Sequence, residues 1–288
     1  MRIHPLCPSC LLNRVYYEAK LVTDDPETLS RCVDEALKIL ASEFSLKPVN
    51  AHLATKLHRR VYEILGCEDP YRSVKSFANE VARRVVAVAE KVIEEARDKF
   101  RAAVKAAIIA NNFDYGVMGH EVVDREFEEF FRKRMREEFA IDDVDRLKEL
   151  SGGKVVYLTD NAGEIFFDAL LMRELKKRCE KLSVVVRGRP ILNDATLEDA
   201  KLAGIDRIAD ELLTNGMGAI GIIFEELPPN TIKRLEEADL IVAKGMANYE
   251  CLSEAEFRPI AFLLTAKCEP VAESLGVPKG SMVVKVVE

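Results

Sequence analysis

The chain has 288 residues, of which 48% are hydrophobic and 32% are charged, and its formal net charge is -7. A chain of this kind folds into one large or two ordinary globular domains with a full hydrophobic core. The acidic charge argues against a nucleic-acid partner bound through bulk charge, and no apolar run approaches the roughly 20 residues of a membrane span. Because no signal-peptide pattern is visible and seven cysteines are scattered along the chain, we expect a cytoplasmic protein with reduced thiols.

Cys7 and Cys10 form a Cys-x-x-Cys pair in the segment "HPLCPSCLL". A zinc site of this type normally has a second pair, and a thioredoxin-like redox site needs a βαβ context that the neighbouring sequence does not show. Two interpretations stay open here. The thiols pack in the protein interior, as free cysteines usually do, or they hold a minor structural metal together with His4.

Residues 1–150 carry the pattern of amphipathic helices. Apolar residues recur three or four positions apart through the segments 26–44 and 76–110, and Asp, Pro and Gly mark the breaks between such segments. The pattern predicts an all-helical N-terminal domain over residues 1–150, which forms one wall of a cleft and a lid over it.

From residue 151 onward, short β-branched runs alternate with helical stretches. The runs are "KVVYL", "SVVVR", "DLIVA", "IAFLLT" and "SMVVKVV", and stretches such as "EIFFDALLMRELKKRC" separate them. This alternation predicts an α/β domain over residues 151–288, with a mostly parallel, Rossmann-like sheet between two layers of helices.

Polar side chains follow four of the predicted strands. Asp160 and Asn161 come after the first strand and Asp194 after the second, while Lys244 and Lys267 follow the two later ones. Because ligands of parallel α/β sheets bind outside the carboxyl ends of the strands, we expect these side chains to meet at one edge. Asp194 alone would also suit a helix N-cap, and each lysine alone would suit the solvent. Their shared position at strand ends favours a site.

The chemistry of such a site is limited by what the second half of the chain lacks. It contains no histidine and no Gly-x-Ser-x-Gly turn, which excludes a Ser-His-Asp triad or a His-rich zinc centre built within that domain. Carboxylate and amide oxygens suit a hard divalent cation such as Mg²⁺ or Mn²⁺, and neighbouring lysines suit a phosphate. The set indicates phosphoryl chemistry.

The loop "NGMGAIG", residues 215–221, matches the Gly-x-Gly-x-x-Gly pattern of dinucleotide-binding turns. That pattern requires an acidic residue at the end of the next strand, and the nearest one in spacing, Asp239, precedes its strand instead. We therefore interpret the loop as a backbone cradle for a phosphate or as a plain turn.

The strings "TDNAGEIFFD", "GRPILNDAT", "AKGMANYE" and "LLTAKCEPVA", with "IIANNFDYG" in the helical half, occur together along essentially the whole chain. In this combination the chain resembles the metal-dependent damage-control phosphatases, a former domain-of-unknown-function family that includes a group named after a supposed acidic-residue methyltransferase. The N-terminal Cys-x-x-Cys is similar to that of the prokaryotic branch. The resemblance implies hydrolysis of small phosphomonoesters, including sugar phosphates, by an enzyme that removes damaged or surplus metabolites.

The resemblance also implies roles for individual residues. It makes Asp160, Asn161 and Asp194 the ligands of a divalent metal, which is Mg, Mn, Co or Ni. Residues near the substrate phosphate would be Lys244 and Lys267, with Asn248 and Glu250 in the motif of Lys244, and Asn111 and Asp114 reaching the cleft from the helical half. The chain departs from the family pattern at Ala110, where relatives usually have Gly.

Our hypothesis for the mechanism is metal-assisted attack by water, in which Asp160 and Asp194 act through the metal. Glu164, one helical turn beyond Asp160, is the nearest candidate to position the water. Asp168 lies one turn further along, although solvent exposure explains a carboxylate at that position equally well.

Three alternatives remain from the sequence. A phospho-aspartyl route at Asp160 would normally need a second acid two residues later, where this chain has Ala162. An S-adenosylmethionine-dependent carboxyl methyltransferase is a different class of enzyme, and the family's older name together with the glycine-rich loop suggests it. A non-catalytic protein that senses a phosphorylated metabolite is the third.

Overall fold

A computed structural model describes residues 1–111 and 124–288 of the chain. Within them, the first 150 residues contribute seven helices: α1 (Cys7–Lys20), α2 (Pro26–Glu43), α3 (Asn50–Leu65), α4 (Arg72–Glu95), α5 (Lys99–Ala110), α6 (Asp124–Met135) and α7 (Val144–Leu150). Local signals place their ends. Helix α2, for example, starts where Asp25 accepts a hydrogen bond of 2.9 Å from the Thr28 N–H and Pro26 takes the first helical position.

Seven strands form one sheet: β1 (Ile141–Asp142), β2 (Lys154–Leu158), β3 (Lys181–Val186), β4 (Glu211–Thr214), β5 (Leu240–Lys244), β6 (Ile260–Thr265) and β7 (Met282–Val287). Their spatial order is β1-β7-β6-β5-β2-β3-β4, and all neighbours are parallel except β6 and β7. Five further helices connect or follow them: α8 (Glu164–Lys176), α9 (Leu197–Leu202), α10 (Pro229–Glu236), α11 (Gly245–Leu252) and α12 (Glu269–Leu275).

The sheet has a hydrophobic core on each face. Side chains alternate along β2, so that Val155 and Tyr157 enter one core while Val156 and Leu158 enter the other. The first core also receives apolar residues from α4 to α9, and the second receives them from α1 to α3 and from α10 to α12. The predicted α/β class with a mostly parallel sheet is confirmed. None of the described helices is long and apolar enough to cross a membrane.

Two strands are not predicted from the sequence. Strand β1 has only two residues, which is too short to show a period, and β4 is a half-buried edge strand without a β-branched run. Strand β1 pairs with β7 although it precedes residue 151, so the sheet includes a segment of the predicted helical half. The division at residue 150 into a helical domain and an α/β domain stays a prediction.

The order in which the chain connects the strands predicts where a ligand crevice forms. Strand β2 lies between β5 and β3, and the chain runs from β2 to β3 and β4 on one side, then returns to β5 and β6 on the other. In open α/β sheets, a crevice forms where the strand order reverses in this way. The carboxyl ends of β2 and β5 are therefore the expected position of a site.

Candidate metal centre and active site

The two loops that carry the predicted metal ligands are joined by backbone hydrogen bonds. Asn161 and Asp194 pair in an isolated antiparallel bridge beyond the ends of their strands. The Ala195 N–H also donates to the carbonyl of Asp160 at 2.8 Å. The structure therefore brings Asp160, Asn161 and Asp194 together on one hydrogen-bonded unit.

Gly245, at the start of α11, lets a second strand end approach this unit. Its φ is +77°, and a Cβ atom placed there would lie 1.8 Å from Oδ2 of Asp160. Only glycine tolerates both the dihedral and the approach. The Lys-Gly dipeptide thus places the end of β5 directly against Asp160.

Two amides link Asp160 to Glu164. Asn111 donates through Nδ2 to Asp160 Oδ2 at 2.9 Å and to Glu164 Oε2 at 2.8 Å. Asn161 donates to the same two oxygens at 3.0 and 2.9 Å. Asn111 and Glu164 are buried, so the helical half contributes directly to this cluster. Asp114, expected beside Asn111, lies outside the described residues.

Arg187 is a member of the site that the sequence analysis did not identify. Its Nε donates to Asp194 Oδ2 at 2.6 Å, and its Nη2 lies 3.9 Å from Asp160 Oδ1. The side chain is buried, and neither Nη atom has a hydrogen-bond partner among the described residues. Arg187 directly follows β3, so the rule that identified the other strand-end residues applies to it as well.

Burial and neighbouring charges shift the pKa values of the carboxyl groups in this cluster. Burial raises the pKa of Asp160 to about 8, and the charges of Glu164 and Asp194 add to the rise. Burial likewise raises the pKa of Asp194, against the opposing charge of Arg187. Burial acts in the same direction on Glu164, but the Lys244 ammonium outweighs it and lowers the pKa of that carboxyl. The centre holds more buried negative charge than its neighbours compensate.

The ammonium group of Lys244 is bound by other residues of the protein. Its Nζ lies 2.6 Å from Glu164 Oε1, 2.5 Å from Asp168 Oδ1 and 3.1 Å from the Ala107 carbonyl. These three acceptors match the three N–H groups of an ammonium, so none is left for a phosphate. The structure therefore places Lys244 behind Glu164, which differs from the direct phosphate contact expected from the sequence.

Asp168 is also buried, contrary to the solvent exposure considered from the sequence. Besides the contact with Lys244, its Oδ1 accepts a hydrogen bond of 2.8 Å from the hydroxyl of Tyr157. Both side chains are fully inaccessible to solvent. The reason is that α5 packs over this face of α8, which a helical pattern alone does not reveal.

Lys267 has the opposite character to Lys244. Its side chain is half-buried and forms no ion pair or hydrogen bond with a described residue. Its positive charge nevertheless acts on the centre, since it opposes the rise in the pKa of Asp160. Lys267 therefore has an ammonium near the carboxylates that is free to bind a ligand.

Asn248 and Glu250 separate in the structure. Asn248 donates to the carbonyls of Thr159 at 3.0 Å and of Lys244 at 2.7 Å, which ties the ends of β2 and β5 together. Glu250 instead accepts hydrogen bonds of 3.1 Å from Asn50 in α3. Burial raises the pKa of Glu250 to about 7. Its contacts belong to the interface with the N-terminal helices.

The donor set fits a divalent metal. Among residues 1–111 and 124–288, no group of three or more His, Cys, Asp or Glu side chains is arranged to hold one. Asp160 and Asp194 provide two carboxylates, however, and Asn161 adds an amide whose NH₂ faces the acids, which leaves its oxygen for a cation. This all-oxygen set suits Mg²⁺ or Mn²⁺, and the uncompensated negative charge favours binding a cation.

The glycine-rich loop has the geometry of a packed turn. Gly216, Gly218 and Gly221 all have positive φ, and a Cβ on the first two would lie 2.2 Å from the Glu226 carbonyl and 2.4 Å from that of Arg189. Contacts within the protein therefore account for these glycines. Of the two interpretations left open for the loop, this geometry favours the plain turn.

The N-terminal cysteines show no metal-site geometry. Cys7 is buried in the second core while Cys10 is exposed, and both are free thiols. Burial raises the pKa of the Cys7 thiol, which disfavours the thiolate needed for metal binding or redox chemistry. These observations favour the packing interpretation for Cys7, whereas Cys10 lies at the surface.

Comparisons with known proteins identify the family of the chain. A family model described as the damage-control phosphatase ARMT1-like domain matches residues 3–283. A protein of Archaeoglobus fulgidus named damage-control phosphatase is 68% identical over 288 residues, covering 100% of both chains. Another of Pyrococcus horikoshii, also named damage-control phosphatase, is 33% identical over 287 residues and covers 98% of this chain and 97% of its own. A crystal structure of a DUF89 family protein from Pyrococcus horikoshii matches with a TM-score of 0.91 and 31% identity, covering 99% of each chain.

Proposed function

Since the chain belongs to the damage-control phosphatase ARMT1-like domain family, we propose that it is a metal-dependent phosphatase that hydrolyses small phosphomonoesters. The observation that carries the proposal is the joining of Asp160, Asn161 and Asp194 at the sheet's switch point, beside the free ammonium of Lys267. Phosphoryl transfer requires carboxylate oxygens that hold a metal and, beside them, a positively charged group that can bind the phosphate.

The metal would be held by Asp160, Asn161 and Asp194. A bound Mg²⁺, Mn²⁺, Co²⁺ or Ni²⁺ neutralises charge on the phosphate and lowers the pKa of bound water. Arg187 holds Asp194 in place through the bond of 2.6 Å from its Nε. Asn111 and Asn161 orient the carboxylate of Asp160, so the ligand set is positioned before any substrate binds.

The phosphate would be bound by Lys267 and Arg187. The Lys267 ammonium has no partner in the described part of the chain, and the two Nη atoms of Arg187 are buried without acceptors. Placing phosphoryl oxygens against these groups satisfies donors that are otherwise costly to bury. Fixed positive charge of this kind stabilises the transition state for phosphoryl transfer.

Glu164 would orient the attacking water and accept its proton. Lys244 holds one of its oxygens at 2.6 Å, and the amides of Asn111 and Asn161 hold the other. A carboxylate fixed at both oxygens still has free lone pairs for a water molecule. Lys244 and Asp168 then act as positioning residues behind Glu164.

The other routes are supported less well. A phospho-aspartyl intermediate at Asp160 needs a proton donor for the leaving group, and Ala162 stands where that second acid would be. The methyltransferase alternative is not favoured, because two relatives are named damage-control phosphatases. Sugar phosphates and related metabolites remain our proposed substrates, and damage control our proposed role.

Phosphate release from a panel of small phosphomonoesters tests the proposal. Protein stripped with a chelator would be assayed alone and after Mg²⁺, Mn²⁺, Co²⁺ or Ni²⁺ is added back, with S-adenosylmethionine binding measured in parallel. We expect turnover that returns with metal. If no ester is hydrolysed with any metal, the phosphatase assignment fails, and binding of S-adenosylmethionine would then favour a methyltransferase.

A further inference from the structure

A cavity of about 550 Å³ lies beside the proposed centre and is not used by any role assigned above. We call it the α4 pocket, because residues of α4 form one wall, while Phe166, Pro190 and the start of α9 form the other. Its volume suits a small metabolite. One hydrogen bond and one short chain connection link it to the centre. Asn79, in its wall, accepts a hydrogen bond of 2.8 Å from the Gly163 N–H, and Thr196 is two residues beyond Asp194 in the sequence.

The α4 wall is rich in hydrogen-bond donors. Residues 72, 75, 76, 79 and 83 all line the pocket. The last four lie three, four, seven and eleven positions after the first, which places all five on a single stripe of the helix. The stripe carries Arg72, Lys75 and Arg83, with Ser76 and Asn79 between them. Three cations therefore face the same cavity.

Three of the four acids in the pocket are already engaged. Asp69 pairs with Lys75 at 2.9 Å. Asp199 accepts from Asn79 at 2.6 Å and caps α9 through two bonds of 2.7 Å from Thr196. Glu80 pairs at 3.1 Å with Arg84. The fourth acid, Glu198, is exposed at the rim.

The arginines, by contrast, have donors to spare. Arg83 is exposed and forms no ion pair with a described residue. Among the described residues, the guanidinium of Arg72 makes a single ion-pair contact, at 4.0 Å with Asp69, and 83% of its side chain is exposed. The guanidinium fork matches the planar geometry of a carboxylate and the oxygens of a phosphate. The pocket thus offers spare positive donors next to a centre that binds the first phosphate.

We infer that the α4 pocket binds a second anionic group, so that the preferred substrates carry a carboxylate or another phosphate away from the scissile ester. Arg72 and Arg83 are the specificity-determining residues. The inference rests on the proposed phosphatase function and names the class of substrate for the same site. It assigns Glu198 the opposite effect, since its carboxylate repels such a group.

Matched pairs of esters test this inference. Glucose 6-phosphate and 6-phosphogluconate differ in one carboxylate, while fructose 6-phosphate and fructose 1,6-bisphosphate differ in one phosphate. Wild-type protein should have a higher kcat/KM for the charged member of at least one pair, and which pair responds distinguishes the two anions. Arg72→Gln and Arg83→Gln should each raise the KM of the member with the second anionic group by about fivefold relative to the member without it, as expected for an exposed charge pair.

Two further variants sharpen the result. Glu198→Gln should lower the KM of the charged member, and Lys91→Gln, which removes a cation from an exposed position of α4 outside the pocket, should leave the ratio within a pair unchanged. Normal turnover of glucose 6-phosphate and fructose 6-phosphate without any preference for their charged partners would overturn this inference alone. Equal changes on both members of a pair would do the same. No turnover of any ester by the wild-type protein would overturn the proposed function together with the inference.

Discussion

Lys244 and Glu164 form a fully buried ion pair in which Nζ and Oε1 are 2.6 Å apart. The other oxygen of Glu164 contacts Asn111 from the helical half and Asn161 from the loop after β2. The pair therefore fixes the carboxylate that we propose orients the water, and it leaves the proposed phosphate contacts to other cations. Lys244 ends β5 and Lys267 follows the neighbouring strand β6, but their different environments give them different roles.

Replacing each of these lysines with Met separates the two roles. Lys244→Met leaves Glu164 and Asp168 buried without their cation, which should lower the free energy of unfolding by about 3 to 5 kcal/mol. Lys267→Met removes a half-buried ammonium without an ion-pair partner in the described structure, so its effect on stability should be below about 1 kcal/mol. Its kcat/KM should nevertheless fall by about a hundredfold. Urea denaturation and phosphate-release kinetics measure both quantities, and equal stability of the two variants would contradict the assignment.

Arg187 provides a second test of the phosphate-binding groups. Arg187→Lys keeps the charge but removes the guanidinium group. In the wild type, the Nε of that group contacts Asp194, and its two Nη atoms are left to bind the substrate. We expect kcat/KM to fall by about a hundredfold or more. Arg189→Lys, at an exposed position of the same loop, is the matched control and should behave as wild type. Unchanged kinetics of Arg187→Lys would remove this residue from the phosphate site.

Gly245 should be intolerant of even one extra carbon. Gly245→Ala places a Cβ against Asp160 at a φ of +77°, so it should disrupt the metal centre and abolish metal-dependent turnover. Gly276→Ala is a control with a similar φ of +70° and no atom within 4 Å of the added carbon. It should cost only about 1 kcal/mol of backbone strain and keep activity. Comparable activity losses in the two variants would show that strain, and not contact with Asp160, is responsible.

Glu250 predicts a pH dependence of stability that is independent of the metal centre. Burial raises its pKa from 4.5 to about 7, so between these values the folded state binds more protons than the unfolded state. Stability should therefore fall as pH rises through this window, by up to about 3 kcal/mol from this group. Glu250→Gln should flatten this part of the curve and be the more stable protein above pH about 7. Free energies of unfolding measured across the window would show parallel curves for the two proteins if Glu250 were solvated.

The rule that ligands bind outside the carboxyl ends of parallel strands accounts for what the sequence predicts about the site. Strands β2 and β6 have the predicted bounds. Asp160, Asn161 and Asp194 lie beyond the ends of β2 and β3, and Lys244 is the last residue of β5. What the rule cannot supply is the partner of each group. The contact of Lys244 with the Ala107 carbonyl joins residues 137 positions apart, and it exists only because α5 packs on α8.

Glu250 shows a second limit of sequence motifs. It shares the string "KGMANYE" with Lys244 and Asn248, but two residues along a helix turn the side chain by about 200°. Asn248 consequently faces the strand ends while Glu250 faces Asn50. Membership of one motif did not imply membership of one site, because helical periodicity divides the motif between two faces.

The most direct test of the central claim measures metal binding and turnover on the same protein. Asp160→Asn preserves the shape of the side chain and removes one charged ligand. Mn²⁺ binding would be followed by electron paramagnetic resonance, together with phosphate release from a substrate of the wild-type protein. The account predicts that wild-type protein binds Mn²⁺ and turns over, and that Asp160→Asn loses both in parallel while remaining folded. Turnover by the variant, or by wild-type protein kept free of metal with a chelator, would contradict it.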